Sequence, residues 1–217
     1  MADKSPAYLL AATDATFARL LDANGLPPQW RRSASFGTVI RLVLEQQVSL
    51  ASAQAAYMRL VDRIGEPVPA LFLTLGDADL KTIGFSRQKT RYARIIATRM
   101  LDGSLDLERV GASGEAGRAE LLSVTGIGPW TVACYFLFVV GQDDIWPSGD
   151  RALYVSMARN LGLDDVPDAA VADSIAEAWS PWRSTAARML WHDYLGGSAY
   201  VENPNAGFAD ETGIVSG

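Results

Sequence analysis

The sequence predicts an all-α fold, and three observations support that class. Apolar residues recur at helical spacing along most of the chain, as in the stripe formed by Phe36, Val39, Ile40, Val43 and Leu44. Residues that favour helix N-termini precede such stripes. No long stretch alternates apolar and polar residues, and no hairpin dipeptide joins two β-branched runs. A β-sheet is therefore not expected.

Three helices have clear boundary signals. Ser35 caps the helix that carries the stripe above, and Ser49 caps a second helix whose apolar face runs to Ile64. Ser86 begins a third helix that ends near Gly103. The other helices are predicted, in chain order, at residues 7–22, 71–75, 77–83, 115–123, 129–140, 151–161, 168–179 and 184–195.

Composition is that of an ordinary globular protein. The 217 residues are 49% hydrophobic and 20% charged, which suits one domain or two small lobes. The apolar run Val132 to Val140 is too short to span a bilayer, and the first residues lack the pattern of a secretory signal. We therefore expect no membrane association and a cytoplasmic location. Residues 201–217 are expected to form a poorly ordered tail.

The single cysteine, Cys134, limits the cofactors that the chain can hold. It excludes an internal disulfide, a four-cysteine zinc site and a four-cysteine iron–sulfur cluster. No such cofactor is expected.

The formal net charge of −6 is unlike that of most nucleic-acid binders. The charge is unevenly distributed, however, because the segment from Ser86 to Met100 is basic and has no acidic residue. Its basic residues are Arg87, Lys89, Arg91, Arg94 and Arg99. This helix either contacts a phosphate backbone or is a solvated face.

The segment around Gly126, Ile127, Gly128 and Pro129 predicts a tight hairpin between two helices. Backbone amides of such a hairpin, near Gly126 and Gly128, can bind a phosphate. The carbonyls on its other edge could hold a monovalent cation; they belong to Leu122, Val124 and Gly126. A plain connector between helices is the alternative.

The hairpin and the loop that follows it resemble the signature of the helix-hairpin-helix DNA glycosylases. In the loop from Gly141 to Leu153, Asp150 comes 20 residues after Trp130. The chain is most similar to the 3-methyladenine glycosylase II branch, and further similar segments are residues 44–49, 83–89 and 179–184. The resemblance covers about residues 34–195. It implies two helical lobes with an active-site cleft between them and residues 1–200 as one glycosylase fold. No counterpart of the N-terminal β-lobe of some family members is expected.

The resemblance implies that Asp150 is the catalytic carboxylate. A carboxylate close to the sugar stabilises the positive charge that develops when an N-glycosidic bond breaks. From the residues alone, Asp150 is also a natural N-cap for the helix at 151–161. The two roles are compatible.

The same resemblance assigns the base pocket and the reaction type. Relatives that also cleave the strand carry a nucleophilic lysine at the position of Trp130, so a monofunctional enzyme without lyase activity is expected. Trp130 and Trp191 are expected to stack on a flipped, alkylated base, with Cys134 in place of a third pocket aromatic. Trp179 and Trp182 are interpreted as core residues.

Gln47 matches the position from which relatives fill the gap left by the flipped base. Thr131, in the second hairpin helix, is also expected to contact DNA. The expected partner is double-stranded DNA with damaged bases, bound by a monomer. A non-catalytic DNA-binding protein remains the alternative, as does a preference for ethenoadenine or hypoxanthine. Mismatch glycosylases that need an iron–sulfur cluster are disfavoured.

Overall fold

The computed structural model describes residues 5–197, and the chain divides into two compact units. Unit 1 comprises the residues up to Arg31 together with those from Phe136 onward, and unit 2 is Arg32–Tyr135. The tail predicted at 201–217 lies outside the described residues. The expected cleft between two lobes stays a prediction.

All regular structure between residues 5 and 197 is helical, which confirms the predicted class. No helix in this range is long and apolar enough to cross a membrane. The helices are α1 Pro6–Thr13, α2 Ala15–Asn24, α3 Phe36–Glu45, α4 Leu50–Ile64, α5 Pro69–Leu73, α6 Asp77–Ile83, α7 Arg87–Leu101, α8 Leu107–Ala112, α9 Gly114–Leu122, α10 Pro129–Tyr135, α11 Arg151–Leu161, α12 Ala169–Glu177 and α13 Arg183–Tyr194.

Several helices differ from the prediction. The helix predicted at 7–22 is two helices, because Asp14 has an extended backbone and its carboxylate caps α2 by accepting the Thr16 N–H. Pro69 opens α5, which therefore begins two residues earlier than predicted. The prediction missed helix α8, which begins where the Asp106 carboxylate accepts the Arg109 N–H.

The helix predicted to reach residue 140 changes character at Phe136. A π-helical turn, Phe136–Val140, follows α10, and the Phe136 carbonyl accepts the N–H groups of Gly141 and Gln142. The buried guanidinium of Arg188 donates to the Leu137 carbonyl at 3.0 Å. Burial lowers the pKa of Arg188 to about 10. A distant cation thus stabilises a turn that local sequence does not signal.

Helix α13 is central to unit 1 and packs against α1, α2 and α11. Near its start, Trp179 is buried with its ring against the rings of Phe17 and Trp146, at 5.1 and 5.5 Å between centroids. Its indole N–H donates to Asp14. The interpretation of Trp179 as a core residue is confirmed, whereas Trp182 is half-buried.

Helix α3 is buried along most of its length in unit 2 and packs against α4, α7 and α10. Two guanidinium groups meet the carboxylate of its last residue. Arg32 Nη2 lies 3.1 Å and Arg41 Nε 3.0 Å from Glu45 Oε1, and the three side chains are 2–6% exposed. Arg41 also donates to Gln54 Oε1 at 2.7 Å. Glu45 therefore compensates two desolvated cations.

Replacing the Glu45 carboxylate tests how much it contributes to the free energy of unfolding. Glu45→Gln should lower the free energy of unfolding by about 3–5 kcal/mol, because the two buried cations Arg32 and Arg41 would lose the carboxylate that they share. Urea denaturation at neutral pH measures the change. Asp79→Asn is the matched control, since Asp79 pairs with Arg63 on the surface, and little change is expected. Equal losses in the two variants would contradict a special role for the buried cluster.

Candidate functional site

Asp150 lies at the N-terminus of α11 in unit 1. Its backbone is extended, and its Oδ1 accepts the N–H of Leu153 at 2.9 Å. The capping role expected from the sequence is therefore present. Gly149, at a φ of +86°, allows the chain to turn into the helix just before the carboxylate.

The indole of Trp191 also holds the Asp150 carboxylate. Trp191 Nε1 donates to the same Oδ1 at 3.3 Å. Its ring is stacked on Phe138 at 5.4 Å between centroids and meets Trp30 edge-on at 6.4 Å. With 8% of its surface exposed, Trp191 is part of an aromatic cluster that orients the carboxylate. Sequence reasoning missed this bond, because 41 residues separate the two positions.

The loop that leads to Asp150 is anchored by side chains. The Trp146 indole and the Ser148 hydroxyl donate to the two oxygens of Asp173, at 2.9 and 2.7 Å. Arg183 donates to Asp144 at 2.7 Å, and this hydrogen bond is the main cause that lowers the pKa of the Asp144 carboxyl. The loop residues are thus held by α12 and by the start of α13. The segment at 179–184, noted in the sequence, contributes Arg183 to this anchoring.

The predicted hairpin between α9 and α10 is present in unit 2. Gly126 has a φ of +98°, and a Cβ at this position would lie 2.2 Å from Tyr92 Cγ, so both the backbone and the packing require glycine. A Cβ at Gly128 would meet no atom within 4 Å. The hairpin is closed at the Ile127 N–H, which donates to the Val124 carbonyl. Space beside Gly128 is what close approach of a phosphate requires.

The turn after α3 contacts this hairpin through Gln46. Its Nε2 donates to the Gly126 carbonyl at 3.0 Å and to Thr131 Oγ1 at 2.9 Å. Thr131 is 2% exposed, so its hydroxyl faces Gln46, and contact with DNA stays a prediction. The next residue, Gln47, is exposed and has a φ of +57°, which is unusual for a residue other than glycine. Sequence reasoning singled out Gln47 and missed Gln46.

The basic residues of α7 have different environments. Arg87 and Arg91 are exposed. Lys89 Nζ donates to the carbonyls of Leu44 and Gln46 at 2.7 and 2.9 Å, and burial lowers the pKa of this lysine. The fourth cation of the predicted set, Arg94, pairs with Asp77 at 2.7 Å and donates to the Leu75 carbonyl. The structure thus favours a packing role for Lys89 and Arg94 and leaves Arg87 and Arg91 available to solvent.

Two further predicted pocket residues lie on α10. Trp130 is half-buried near its first turn. Cys134 is fully buried, and this burial argues against an exposed pocket wall at that position. Every residue of α10 from Thr131 to Tyr135 is buried, so packing around the whole helix covers the thiol.

Comparison with known proteins identifies the family. The family described as "HhH-GPD superfamily base excision DNA repair protein" matches residues 40–183. A Bacillus subtilis protein, provisionally named a DNA-3-methyladenine glycosylase, is 28% identical over 72% of this chain and 58% of its own length. A Mycobacterium tuberculosis protein, named a probable bifunctional transcriptional activator and DNA repair enzyme, is 32% identical over 70% of this chain and 32% of its own length. The chain therefore spans about one third to three fifths of these two relatives.

A solved structure has the same fold. It is that of a Schizosaccharomyces pombe 3-methyladenine DNA glycosylase in complex with abasic DNA, with a TM-score of 0.80 and 23% identity. The match covers 91% of this chain and 99% of that one. Because the family match includes the hairpin, the loop and Asp150, and extends over more than half of the chain, the protein belongs to the HhH-GPD superfamily of base excision DNA repair proteins.

Proposed function

We propose that the chain is a monofunctional DNA glycosylase that hydrolyses the N-glycosidic bond of alkylated bases such as 3-methyladenine and 7-methylguanine. The observation that carries the proposal is the Asp150 carboxylate, oriented by the Leu153 N–H and the Trp191 indole in a member of this family. The names of the Bacillus and fission-yeast relatives support the choice of lesion. Double-stranded DNA with damaged bases is the proposed partner of a monomeric enzyme.

In the proposed reaction the bond between the base nitrogen and C1′ of the deoxyribose breaks. Its electron pair goes to the base and cancels the positive charge of an alkylated purine, so the base leaves without an acid. Positive charge develops on the sugar, and the Asp150 carboxylate stabilises it. Water adds to C1′ and releases a proton, which leaves a free base and an abasic site. Asp150 also orients this water.

DNA binding is proposed to use the exposed parts of unit 2. The hairpin amides near Gly128 bind a phosphate, and Arg87 and Arg91 supply positive charge that attracts any duplex. Gln47 fills the gap left by the flipped nucleotide, and its amide can hydrogen-bond to the unpaired base. Local basic surface of this kind offsets the net charge of −6.

A monovalent cation at the hairpin fits the donor set. The carbonyls of Val124 and Gly126 each accept one hydrogen bond, from Ile127 and Gln46, and a carbonyl oxygen has a second acceptor site. With the Leu122 carbonyl they would hold the ion. The ion would add positive charge beside the bound phosphate.

Selectivity for damaged bases is assigned to Trp130. A half-buried indole at the start of α10 can stack on a flipped base and attract the positive charge of an alkylated one. An amine is absent at this position, so no Schiff base with the sugar is proposed and strand cleavage should not accompany base release.

Asp150→Asn should abolish base release and leave the fold intact. Asparagine is an equally good N-cap, so α11 keeps its start. We expect the single-turnover rate to fall by about a hundredfold or more, while DNA affinity is kept or rises because a negative charge is removed. Mass analysis of the bases released from methylated genomic DNA measures the effect, and separate duplexes that contain ethenoadenine or hypoxanthine test those substrates.

The matched control is Asp168→Asn, which changes the N-cap of α12 in the same unit. This variant should retain base release. Activity retained by Asp150→Asn would remove Asp150 from the mechanism. A wild-type protein that binds duplexes and releases no base from any of them would favour the non-catalytic alternative.

Trp130→Ala should lower the rate on 7-methylguanine by about ten- to a hundredfold, because a stacking contact with the flipped base is lost. Affinity for undamaged duplex should change little. Arg91→Ala should weaken binding to every duplex alike and reduce the salt dependence of binding by about one charge. An equal loss on damaged and undamaged DNA after Trp130→Ala would mean that this residue supports the fold instead.

Borohydride trapping tests the absence of lyase chemistry. Incubation of the protein with a lesion duplex and sodium borohydride should give no covalent protein–DNA complex, since no amine occupies position 130. A known glycosylase/lyase on its own substrate serves as the positive control. Appearance of a trapped complex with this protein would overturn the assignment as a monofunctional enzyme.

A further inference from the structure

The turn between α3 and α4, residues 46–49, combines an unusual backbone with exposed side chains. Gln47 is held at a φ of +57°. Its neighbours Val48 and Leu50 are 44% exposed, although both are apolar. A strained conformation of this kind persists only where the surrounding contacts determine it, and it often marks a functional segment. The contacts that determine it here come from two other elements of unit 2.

The first contact is the amide of Gln46. Its two hydrogen bonds end on the first glycine of the hairpin and on the second hairpin helix, 80 and 85 residues further along the chain. Both acceptors, the Gly126 carbonyl and the Thr131 hydroxyl, belong to the element assigned above to phosphate binding. The amide group therefore links the turn directly to the hairpin.

The second contact is the ammonium of Lys89 on α7. It donates to the carbonyls of Leu44 and Gln46, which lie at the C-terminal end of α3 just before the backbone reverses at Gln47. Such a cap satisfies backbone acceptors at a helix C-terminus. One turn further along α7, Tyr92 packs against Gly126. Helix α7 thus braces both the turn and the hairpin.

We propose that Gln46 is a positioning residue that, with Lys89, holds the Gln47 turn and the hairpin as one rigid element. The inference rests on the proposed function. In a duplex, the distance between a phosphate and the gap left by a flipped nucleotide is set by the DNA. A protein that binds the phosphate with one segment and fills the gap with another gains affinity when these two segments are held at a fixed spacing. The Gln46 amide sets that spacing, so its loss impairs insertion of Gln47 more than it impairs initial binding.

The test uses a duplex that needs no chemistry, with a tetrahydrofuran abasic site and 2-aminopurine opposite it. Saturating wild-type protein should change the 2-aminopurine fluorescence as Gln47 enters the stack. Gln46→Ala should shift the equilibrium between the inserted and uninserted states by about tenfold through loss of two hydrogen bonds. Its Kd for undamaged duplex should stay close to that of the wild type. Thr131→Val removes one acceptor and should give a smaller shift.

Gln54→Ala is the matched control, because it removes a glutamine hydrogen bond in unit 2 that does not involve the turn or the hairpin. It should leave the fluorescence change intact at equal occupancy, even where thermal stability falls as much as in Gln46→Ala. Lys89→Met should reduce insertion without altering the salt dependence of binding. A reduction of that dependence by about one charge would identify Lys89 as a phosphate contact instead.

The result that would overturn the inference is a Gln46→Ala protein that is folded, binds the abasic duplex and changes the fluorescence as fully as the wild type. Base release from methylated DNA is measured separately on the wild type. Absence of base release there would count against the proposed glycosylase activity, while the fluorescence result would still decide the role of Gln46.

Discussion

Unpaired backbone groups at helix ends are the constraint on which this structure depends. Every helix leaves N–H groups at its start and carbonyls at its end, and a chain of short helices has many such ends to satisfy. Asp150 caps α11, Lys89 caps the end of α3, and the Gln46 amide binds a hairpin carbonyl. The group assigned to catalysis, the Asp150 carboxylate, is thus also a helix cap, and the caps at Lys89 and Gln46 lie beside the residues assigned to DNA binding. The carboxylate assigned to catalysis therefore has structural partners of its own, the Leu153 N–H and the Trp191 indole.

The sequence predicted the helical class, most helix positions and the residues on which a family signature depends. These features are local: an apolar stripe, a cap or a Gly-x-Gly turn can be recognised within a short window, as at Ser35 or Gly126. The bond between Trp191 and Asp150 could not be predicted, nor could the one between Gln46 and Thr131. Both join positions far apart in the chain, and no periodicity encodes them. The burial of Cys134 likewise depends on packing around α10, which the local sequence does not show.

The basic helix shows why charge alone is a poor guide to contact. Lys89 and Arg91 are two residues apart on α7 and look equivalent in the sequence. Lys89 donates to two backbone carbonyls and has a pKa lowered by burial, whereas Arg91 is exposed. A difference of two positions turns a side chain to another face of a helix. Sequence composition therefore identified a basic helix and overstated the number of its cations that face solvent.

The packing of Tyr92 against Gly126 has a consequence for how relatives of this chain can diverge. Any side chain at position 126 would collide with the ring at position 92, while the positive φ at 126 disfavours a Cβ even after the ring is removed. A single substitution of Gly126 is therefore destabilising, and the backbone strain remains even when position 92 is changed at the same time to a smaller residue. We therefore expect substitutions at position 92 to be tolerated more readily than any substitution of the glycine.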